Sequence, residues 1–269
     1  MNVDELIKCA LAEDIGTGDI TTDAILPRDE ECSAAIVCRD EGIISGIGVA
    51  RKVFCALDSK VAFNPLVKDG DEVSRNQEIA RLDGSAKAIL KGERVALNLL
   101  QKLSGIATYT SLFVKKCGKV TLIDTRKTDP CMRELEKYAV TCGGGKNHRF
   151  GLYDMVLVKD NHIKVAGSVA EALRRAKHAG GAKVEIEAES LEEVNEAMSF
   201  GCDIVMLDNM SVDDIRKSVE LVGGKAKIEV SGGITLENVR EAARSGVDFI
   251  SVGVITHSSG WLDMSLKIL

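Results

Sequence analysis

The chain has 269 residues, of which 45% are hydrophobic and 28% are charged. Its formal net charge is −6, and this acidic balance argues against a general nucleic-acid binder and against a basic protein of membrane surfaces. Aromatic residues make up only 4%, which argues against an exposed surface that stacks bases. The length suits one large α/β domain or two smaller ones with a sizeable core.

The sequence carries no sign of a membrane or secretory protein. No apolar run reaches the roughly 18 residues that a membrane span needs, and the acidic, amphipathic start is unlike a signal or transit peptide. The eight cysteines are scattered, without a C-x-x-C pair or a histidine at metal-ligand spacing. They are typical of reduced thiols rather than of a disulfide framework or a zinc site. We expect a cytoplasmic protein.

The first hundred residues predict a mixture of helices and short strands. Apolar residues at helical spacing predict a helix over Val3–Glu13, which ends at Gly16-Thr17-Gly18-Asp19. The other elements predicted in this half are strands at Ala34–Cys38, Ile43–Ile47 and Ile79–Leu82, helices at Val49–Leu57 and Glu93–Leu103, and a turn at Asp69-Gly70-Asp71.

From Val120 onward the pattern becomes regular. The apolar runs that predict strands are Val120–Ile123, Met155–Val158, Val184–Ala188, Ile204–Leu207, Ile228–Val230 and Phe249–Val252. The helices predicted between the later runs are Val169–His178, Leu191–Phe200, Val212–Leu221 and Leu236–Ser245. Alternating strands and helices are typical of parallel βα units. Because no G-x-G-x-x-G follows a strand and Gly145-Lys146 does not complete a P-loop, a barrel or near-barrel is favoured over a dinucleotide fold.

Each of these runs carries or leads into residues that can react or form hydrogen bonds. In chain order they are Asp124-Thr125-Arg126-Lys127, Lys159-Asp160-Asn161-His162, Glu187, Asp208-Asn209, Ser231-Gly232-Gly233 and Gly253. Active sites of (β/α) barrels lie at the carboxyl ends of the strands. The succession of such ends therefore predicts a site at that face.

Strand alternation predicts which charges point inward. In Val184–Ala188 the side chains of Glu185 and Glu187 oppose the aliphatic ones, and Lys227 and Glu229 do the same in a later strand. If the aliphatic faces meet the outer helices, these charges face the barrel interior. For Glu185 and Lys227 a structural ion-pair lattice is as good an interpretation as a functional one. Glu187 lies nearer its strand end, and we interpret it as functional.

Two glycine-rich turns follow the last two strands: Ser231-Gly232-Gly233, and Gly253 leading to Thr256-His257-Ser258. Paired loops at this place form phosphate sites in many barrels, because glycine lets oxygens approach backbone N–H groups. These turns therefore predict phosphate binding.

Cations gather near the first two strand ends and could face acidic side chains. The cations are Arg126, Lys127, Lys146, His148, Arg149 and Lys159, and Gly143-Gly144-Gly145 gives the chain freedom to bring Lys146–Arg149 over a ligand. Guanidinium forks and lysine charges suit carboxylates and phosphates. Opposite them, Glu187 and Asp208 would hold Mg²⁺, ribose hydroxyls or a developing positive charge.

Dispersed motifs along nearly the whole chain resemble those of the carboxylating nicotinate-nucleotide pyrophosphorylases, the quinolinate phosphoribosyltransferase family. The matching segments are Leu11-Ala12-Glu13-Asp14, Gly18-Asp19-Ile20-Thr21, Gly92-Glu93-Arg94, Ala96-Leu97-Asn98, Leu103-Ser104-Gly105-Ile106-Ala107-Thr108, Asp124-Thr125-Arg126-Lys127-Thr128, Glu136-Lys137-Tyr138-Ala139-Val140, Gly143-Gly144-Gly145, Asn147-His148-Arg149, Lys159-Asp160-Asn161-His162, Leu207-Asp208-Asn209-Met210, Ser231-Gly232-Gly233-Ile234 and Thr256-His257-Ser258.

The resemblance implies a fold and a reaction. The fold is α/β: an N-terminal α/β sandwich domain over residues 1–104, rejoined by 256–269, and an incomplete (β/α) barrel catalytic domain over 105–255. The reaction is that of quinolinate with phosphoribosyl pyrophosphate, which gives nicotinate mononucleotide, pyrophosphate and CO₂ in de novo NAD biosynthesis, with Mg²⁺ as the cofactor.

The resemblance also implies roles for particular residues. Lys127, Glu187 and Asp208 are implied as catalytic, and the last two also as metal ligands. The implied substrate-binding residues are Arg94, Thr125, Arg126, Lys127, His148, Arg149, Lys159, Glu187, Asp208, Ser231, Gly232, Gly233, Val252, Gly253, Val254 and His257. Arg94 matches a family arginine that reaches the neighbouring subunit's site, which implies a homodimer or a higher homo-oligomer.

One departure and three alternatives accompany this interpretation. Asp129-Pro130-Cys131 stands where the family commonly has Thr-Pro-Gly, which leaves the shape of that loop open. A molybdenum-transport-associated pyrophosphorylase-like protein would act on another substrate; the segments Lys137–Val140 and Asn147–Arg149 favour the quinolinate enzyme. The second alternative is a Schiff-base aldolase that uses Lys127 or Lys159. The third is a polyanion-binding module without activity.

Overall fold

The structure is a computed structural model that describes residues 2–178 and 183–269. Its helices are α1 (Val3–Ile15), α2 (Ile20–Ile25), α3 (Ile47–Leu57), α4 (Ala86–Cys117), α5 (Arg133–Cys142), α6 (Asp160–Ala166), α7 (Val169–Ala176), α8 (Leu191–Phe200), α9 (Val212–Val222), α10 (Val239–Ala243) and α11 (Val254–His257). Its strands are β1 (Glu31–Cys38), β2 (Gly42–Ile43), β3 (Ala62–Pro65), β4 (Glu72–Val73), β5 (Glu78–Ser85), β6 (Thr121–Ile123), β7 (Val156–Val158), β8 (Val184–Ala188), β9 (Ile204–Asp208), β10 (Lys227–Ser231), β11 (Phe249–Ser251) and β12 (Met264–Ile268).

The chain folds into two compact units. The first contains the chain through Ser111 together with Asp129–Gly144 and Ser258–Leu269, and the second contains Leu112–Thr128 and Gly145–His257. The change from one unit to the other therefore falls within α4 at Ser111, and the segment that includes α5 belongs to the first unit. The predicted domain limit at residues 104 and 105 stays a prediction.

The first unit is organised around an antiparallel four-stranded sheet with the order β12-β1-β5-β3. Residues Ala34, Ile36 and Cys38 of β1 are fully buried. Strand β12 pairs along β1, with Leu266 opposite Ile36, so the last residues of the chain complete this sheet. Helices α1 and α3, and α4 as far as Ser111, bury apolar side chains in the same unit, which gives the α/β class that the sequence predicts.

Helix predictions in the first unit hold better than strand predictions. Helix α1 begins at a capping box between Asn2 and Glu5, which confirms the predicted helix. The predicted strand Ile43–Ile47 is wrong, because only Gly42–Ile43 pairs and α3 begins at Ile47. Two N–H groups at the start of α3 donate to the Asp69 carboxylate at 2.9 and 3.0 Å, so a distant side chain starts this helix.

The second unit is built on a parallel sheet. Within the described residues this sheet has six strands in the order β6-β11-β10-β9-β8-β7. Every neighbouring pair in it is parallel, and helices connect most of the strands. The strands β6 and β7 form the two edges and do not pair with each other within residues 2–178 and 183–269. The predicted incomplete (β/α) barrel is thus confirmed, together with all the strands predicted after Val120.

The strand register brings the polar strand ends to one face. Asp208 lies opposite Ser231, and Glu187 lies opposite Met206. Glu185 and Glu187 are buried, as expected for side chains that point inward. Lys227 differs from that expectation, because its side chain is 64% exposed and its Nζ pairs with Asp248 at 2.7 Å. An ion-pair lattice between Glu185 and Lys227 is therefore not formed by the described residues.

None of the helices in the described part of the chain is both long enough and apolar enough to cross a bilayer.

Candidate active site

A cavity of about 730 Å³ opens at the carboxyl ends of the strands in the second unit. This is the size of pockets that bind small molecules. The predicted site residues that line it are Thr125, Arg126, Lys127, His148, Arg149, Lys159, Glu187, Asp208, Ser231, Gly232, Gly233, Val252, Gly253, Val254 and His257. The fold therefore brings together residues that lie up to 132 positions apart in the chain, from Thr125 to His257.

Two predicted cations do not line this cavity. Arg94 lies on α4 in the first unit with an exposed side chain, and its role at a neighbouring subunit stays a prediction. Lys146 continues the sheet beside β6, since its backbone N–H donates to the carbonyl of Leu122 at 2.9 Å. The Lys146 side chain is exposed and does not line the cavity, and its approach to a ligand stays a prediction.

Arg126 and Arg149 stand close together on one wall of the cavity. The Nε of Arg126 is buried and has no hydrogen-bond partner among the described residues. Burial, and next the charge of Arg126, hold the pKa of Arg149 below its ordinary value. Two guanidinium groups that repel each other in a half-buried place are stabilised by an anion between them. This wall is therefore suited to carboxylates or phosphates.

The loop that carries Arg126 and Lys127 is held from two sides. The Thr125 hydroxyl accepts the N–H of Lys127 at 3.0 Å. On the other side, the Thr256 hydroxyl donates to the carbonyl of Lys127 at 2.7 Å. Thr125 thus shapes the loop, while the Lys127 side chain stays exposed to the cavity.

A group of carboxylates faces the cation wall. Oxygens of Glu187, Glu189 and Asp208 lie within 4.8 Å of one another. Lys159 Nζ contacts an oxygen of Glu187 at 2.8 Å, and the Asn209 amide donates to Asp208 at 2.7 Å. Carboxylate oxygens in such a cluster are the hard ligands that Mg²⁺ prefers, so the residues present fit the predicted magnesium site. Glu189 is an addition that the sequence did not predict.

The turn after β10 exposes its backbone to the cavity. Gly232 has a φ of 81°, and a Cβ there would lie 2.4 Å from Oδ1 of Asn209, so only glycine fits. Gly233 follows with a φ of 59°. At the neighbouring turn, a Cβ on Gly253 would approach the Lys127 side chain to 3.0 Å. Backbone N–H groups bare of side chains are what a phosphate group requires.

His148 belongs to a buried cluster with Glu185 and Glu229, and two of its members, His148 and Glu229, line the cavity. Its Nε2 lies 2.9 Å from Glu185 and 3.5 Å from Glu229, and both carboxylates are at most 1% exposed. Burial alone would lower the pKa of His148, but the two carboxylates raise it to about 9. Burial raises the pKa of Glu185 to about 7. Because Nδ1 already accepts the N–H of Arg149 at 2.8 Å, we assign both shifts to one proton that the cluster shares.

Some lining residues were missed from the sequence. They are Leu157, Met206, Glu229, Ile234, Thr235 and Ser251. Asn209, which was predicted together with Asp208 as a polar strand end, also lines the cavity. Glu229 was expected only to face the interior, and its proximity to His148 depends on contacts between distant strands.

Comparisons with known proteins agree with this geometry. The family model described as the quinolinate phosphoribosyl transferase N-terminal domain matches residues 19–104. The model of the C-terminal domain of the same family matches residues 106–267.

A curated relative covers the whole chain. It is a protein of Bacillus subtilis (strain 168) named "probable nicotinate-nucleotide pyrophosphorylase (carboxylating)", which is 44% identical over 100% of this chain and 94% of its own length. The chloroplastic nicotinate-nucleotide pyrophosphorylase (carboxylating) of Arabidopsis thaliana is 40% identical over 98% of this chain and 82% of its own length.

A solved structure agrees over the full chain. The nicotinate-nucleotide pyrophosphorylase of Francisella tularensis superimposes with a TM-score of 0.95 at 44% identity, and the match covers 99% of this chain and 96% of that one. Fold, site and relatives lead to one conclusion: the chain belongs to the quinolinate phosphoribosyltransferase family.

Proposed function

We propose that the cavity of the second unit is the active site at which quinolinate reacts with phosphoribosyl pyrophosphate. The products are nicotinate mononucleotide, pyrophosphate and CO₂, so the enzyme is a decarboxylating pentosyltransferase. The observation that carries the proposal is that one cavity combines a wall of cations, a group of carboxylates and a glycine turn with open backbone. These are the three kinds of contact that a dicarboxylate and a phosphorylated sugar need.

The cations bind the carboxylates of quinolinate, and the glycine turn binds the phosphate of the ribose. Arg126 and Arg149 bind carboxylates of quinolinate as planar forks, and Lys159 adds a point charge. The 5-phosphate of the ribose is placed on the turn formed by Ser231, Gly232 and Gly233, whose N–H groups are accessible. Lys127 extends from the neighbouring loop toward the remaining phosphates.

The proposed chemistry needs no covalent protein nucleophile. The lone pair of the pyridine nitrogen forms a bond to the anomeric carbon while the bond from that carbon to pyrophosphate breaks. Positive charge that develops on the ribose is stabilised by Glu187 and Asp208. The ring carboxylate beside the nitrogen then leaves as CO₂, its bonding electrons stay on the ring carbon next to the cationic nitrogen, and a proton from solvent replaces it.

Magnesium is assigned to the carboxylate cluster. Glu187, Asp208 and Glu189 would hold the ion. When bound, Mg²⁺ neutralises negative charge on the departing pyrophosphate. Removal of the ion by a chelator is expected to abolish turnover, and re-addition of Mg²⁺ to restore it. Turnover that persists unchanged in a chelator would contradict the assignment.

The other chemical interpretations receive less support. The relatives are named for the carboxylating pyrophosphorylase activity, so a molybdenum-associated substrate is not favoured. Lys159 Nζ lies 2.8 Å from an oxygen of Glu187, and a Schiff-base lysine would have to give up this contact. Borohydride trapping with a carbonyl substrate tests that role directly.

The assembly and the compartment are also part of the proposal. Arg94 is exposed on α4 and, among the described residues, has no ion-pair partner, which suits a residue that acts on a second copy of the chain. We therefore include a homodimer, or a larger homo-oligomer, in which Arg94 completes the neighbour's site. The free thiols of all eight cysteines support a reducing compartment such as the cytoplasm.

The decisive experiment is incubation with quinolinate, phosphoribosyl pyrophosphate and Mg²⁺. The formation of nicotinate mononucleotide is followed by chromatography and the release of CO₂ by a coupled assay. We expect both products in equal amounts. A reaction in which nicotinate replaces quinolinate is the control. No product, or equal turnover with nicotinate, would overturn the assignment; binding of phosphoribosyl pyrophosphate without turnover would favour the polyanion-binding module.

A further inference from the structure

The buried cluster of Glu185, His148 and Glu229 has no part in the reaction described so far. Only 8% of the His148 side chain is exposed, against 0% for Glu185 and 1% for Glu229. One oxygen of each glutamate is buried and has no hydrogen-bond partner among the described residues. Burial of two carboxylates costs free energy that only pairing and hydrogen bonds can offset, so the contacts of this cluster need an explanation.

Both ring nitrogens of His148 are already engaged within the protein. Nε2 faces the Glu185 carboxylate at 2.9 Å. Nδ1 accepts the backbone N–H of Arg149 at 2.8 Å. A nitrogen that accepts a hydrogen bond carries no proton, so the ring hydrogen lies on Nε2 and donates to Glu185. In this arrangement the ring has no nitrogen left for a substrate carboxylate.

The same arrangement disfavours a metal ion in the cluster. His148, Glu185 and Glu229 offer ligand atoms within 4.8 Å of one another, which is compatible with a metal site by distance alone. A histidine binds a metal through an unprotonated nitrogen, and its other nitrogen normally donates a hydrogen bond. Here the nitrogen facing the carboxylates carries the hydrogen, and the other accepts. The ring hydrogen of His148 is therefore on the nitrogen that would have to be unprotonated to bind a metal ion in this cluster.

We propose that Glu185, Glu229 and His148 are positioning residues that act on the substrate only through Arg149. The carboxylates fix the imidazole through Nε2, and the imidazole fixes the backbone of Arg149 through Nδ1. This inference deepens the proposed function, on which it rests, because it states which group of this segment reaches quinolinate. The sequence resemblance alone implies His148 as a direct substrate ligand.

Other contacts hold the same segment in place. The backbone N–H of His148 donates to the fully buried Asp124 at 2.9 Å. The guanidinium of Arg149 donates to the carbonyl of Met155 at 3.3 Å. Arg149 is thus anchored at its backbone by the cluster and at its head by Met155. A guanidinium fork recognises a carboxylate only when its plane is set, and the cluster supplies one of the two anchors.

Charge gives the cluster a second effect on Arg149. Arg126 disfavours the charged form of Arg149, while Glu185 favours it, as the opposing effects on the pKa of Arg149 indicate. The buried carboxylate of Glu185 therefore offsets part of the repulsion between the guanidinium groups of Arg126 and Arg149. This helps to hold both guanidinium groups in place before the substrate arrives.

The test is a double-mutant cycle on quinolinate affinity. The dissociation constant is measured by calorimetry without phosphoribosyl pyrophosphate for the wild type, His148→Ala, Arg149→Ala and the double variant. We expect His148→Ala to weaken binding about 10- to 100-fold, the range for loss of a supporting partner. In the Arg149→Ala background the same change has no further effect, within about twofold. Additive losses would overturn the inference, because His148 would then contact quinolinate itself.

The carboxylates are tested by conservative rescue. Glu185→Ala should weaken quinolinate binding, whereas Glu185→Gln retains an acceptor oxygen and restores most of the affinity. Steady-state kinetics supply a second readout: Glu185→Ala should raise KM for quinolinate by a larger factor than it lowers kcat. If the glutamine variant binds as weakly as the alanine variant, a hydrogen-bonded anchor is ruled out. Glu229→Gln, whose contact at 3.5 Å is longer, should have the smaller effect.

Controls separate folding from binding and separate the two proposals. Glu192→Ala, an exposed glutamate on α8, should change neither affinity nor thermal unfolding. Thermal unfolding of every variant identifies any that fails to fold, and Glu229→Gln then carries the test in place of Glu185→Ala. If wild-type protein binds quinolinate without forming nicotinate mononucleotide, the proposed function fails, while the cycle still decides the role of His148.

Discussion

Cys131 occupies a backbone position that normally belongs to glycine. Its φ is 66°, in the left-handed region that costs an L-residue with a side chain about 1–2 kcal/mol. This is where the sequence departs from the glycine common in the family. The sequence alone left the shape of this loop open. In the structure the loop has the backbone conformation that suits glycine, and Cys131 adopts it at the cost of strain.

Cys131→Gly should therefore stabilise the protein. Relief of the left-handed strain is partly offset by the greater flexibility of glycine in the unfolded chain, so we expect a gain of up to about 1 kcal/mol in the free energy of unfolding. Denaturant unfolding measures it. Cys9→Gly, in the middle of α1, is the matched control and should lose about 1 kcal/mol. A loss of stability in both variants would contradict the assigned conformation.

Gly232 illustrates a second backbone requirement, which bears on activity. Gly232→Ala would place a Cβ 2.4 Å from Oδ1 of Asn209, so the turn or the amide must move. We expect KM for phosphoribosyl pyrophosphate to rise at least about tenfold, as loss of one charge-assisted phosphate contact would predict. Gly224→Ala is the control, because its φ of 78° is similar but no atom lies within 4 Å of the added Cβ. Equal kinetic effects in both variants would show that strain, rather than the contact, matters.

At the scale of the elements, the parallel sheet was the most predictable part of the molecule. The strands of the second unit are short buried apolar runs bounded by polar or glycine residues. Such a run alone could also be a buried helix segment, but the regular alternation with longer helical segments indicates strands of parallel βα units. The two-residue β2 and β4 are too short to leave a pattern. The start of α3 depends on Asp69, a residue more than twenty positions away. Helix α4 extends beyond the predicted Glu93–Leu103 on both sides and runs through Gly92 and Gly105. These two glycines looked like helix ends in the sequence, but they lie where the helix packs closely against Phe54 and the backbone of Gly260.

Some parts of the candidate site were predictable from the sequence and others were not. Residues such as Arg126, Glu187 and Gly232 were predictable because they follow strands directly. The partners of His148 were not, since Glu185 and Glu229 reach it from β8 and β10 across the sheet. Alternation along a strand predicts that a side chain points inward, but not which distant side chain it meets. Contacts of this kind depend on the order of the strands in the sheet, in which β9 separates β8 from β10.

The cluster between β8 and β10 predicts a pH-dependent stability. The pKa of His148 is raised to about 9 and that of Glu185 to about 7, so the folded state binds more protons than the unfolded state between about pH 5 and pH 9. The sign is the same whichever group carries the proton. The free energy of unfolding should fall as the pH rises through this window.

The measurement is thermal unfolding of the wild type and of Glu185→Gln at pH 6, 7, 8 and 9. Glutamine cannot share the proton, so the variant should lose stability less steeply with rising pH. Glu192→Gln on α8 is the control for a change of charge alone and should follow the wild type. If the difference between wild type and Glu185→Gln is the same at every pH, the cluster does not hold an additional proton.

At the scale of the whole molecule, the net charge of −6 misleads about the ligand. The positive groups concentrate at the carboxyl ends of the parallel strands, while acidic residues are abundant on exposed helices such as α8 and α9. Attraction of a small anion depends on the local field of the cavity more than on the total charge. A net charge of −6 therefore argues against nucleic-acid binding but is compatible with polyanionic substrates.

Subunit mixing tests whether Arg94 acts in the neighbour's site. We expect Arg94→Ala and Lys159→Ala each to be nearly inactive, because each removes a cation from every site. In a mixed dimer one site receives an intact Arg94 and an intact Lys159, so mixing should restore up to about a quarter of the wild-type activity per site by random exchange. Exchange is verified by mass spectrometry of the mixed oligomer. Verified exchange without recovered activity would mean that Arg94 works within its own subunit or not at all.

The salt bridge of Lys227 with Asp248 lies at the amino end of β10, opposite the end that carries Ser231. Barrel enzymes concentrate chemistry at one end of their strands and support at the other. Selection can therefore adjust heat tolerance at Lys227 and Asp248 while it leaves the catalytic face unchanged. Substitutions at the amino end of β10, near Lys227, can therefore change stability, while substitutions at its carboxyl end, near Ser231, change the substrate that is bound.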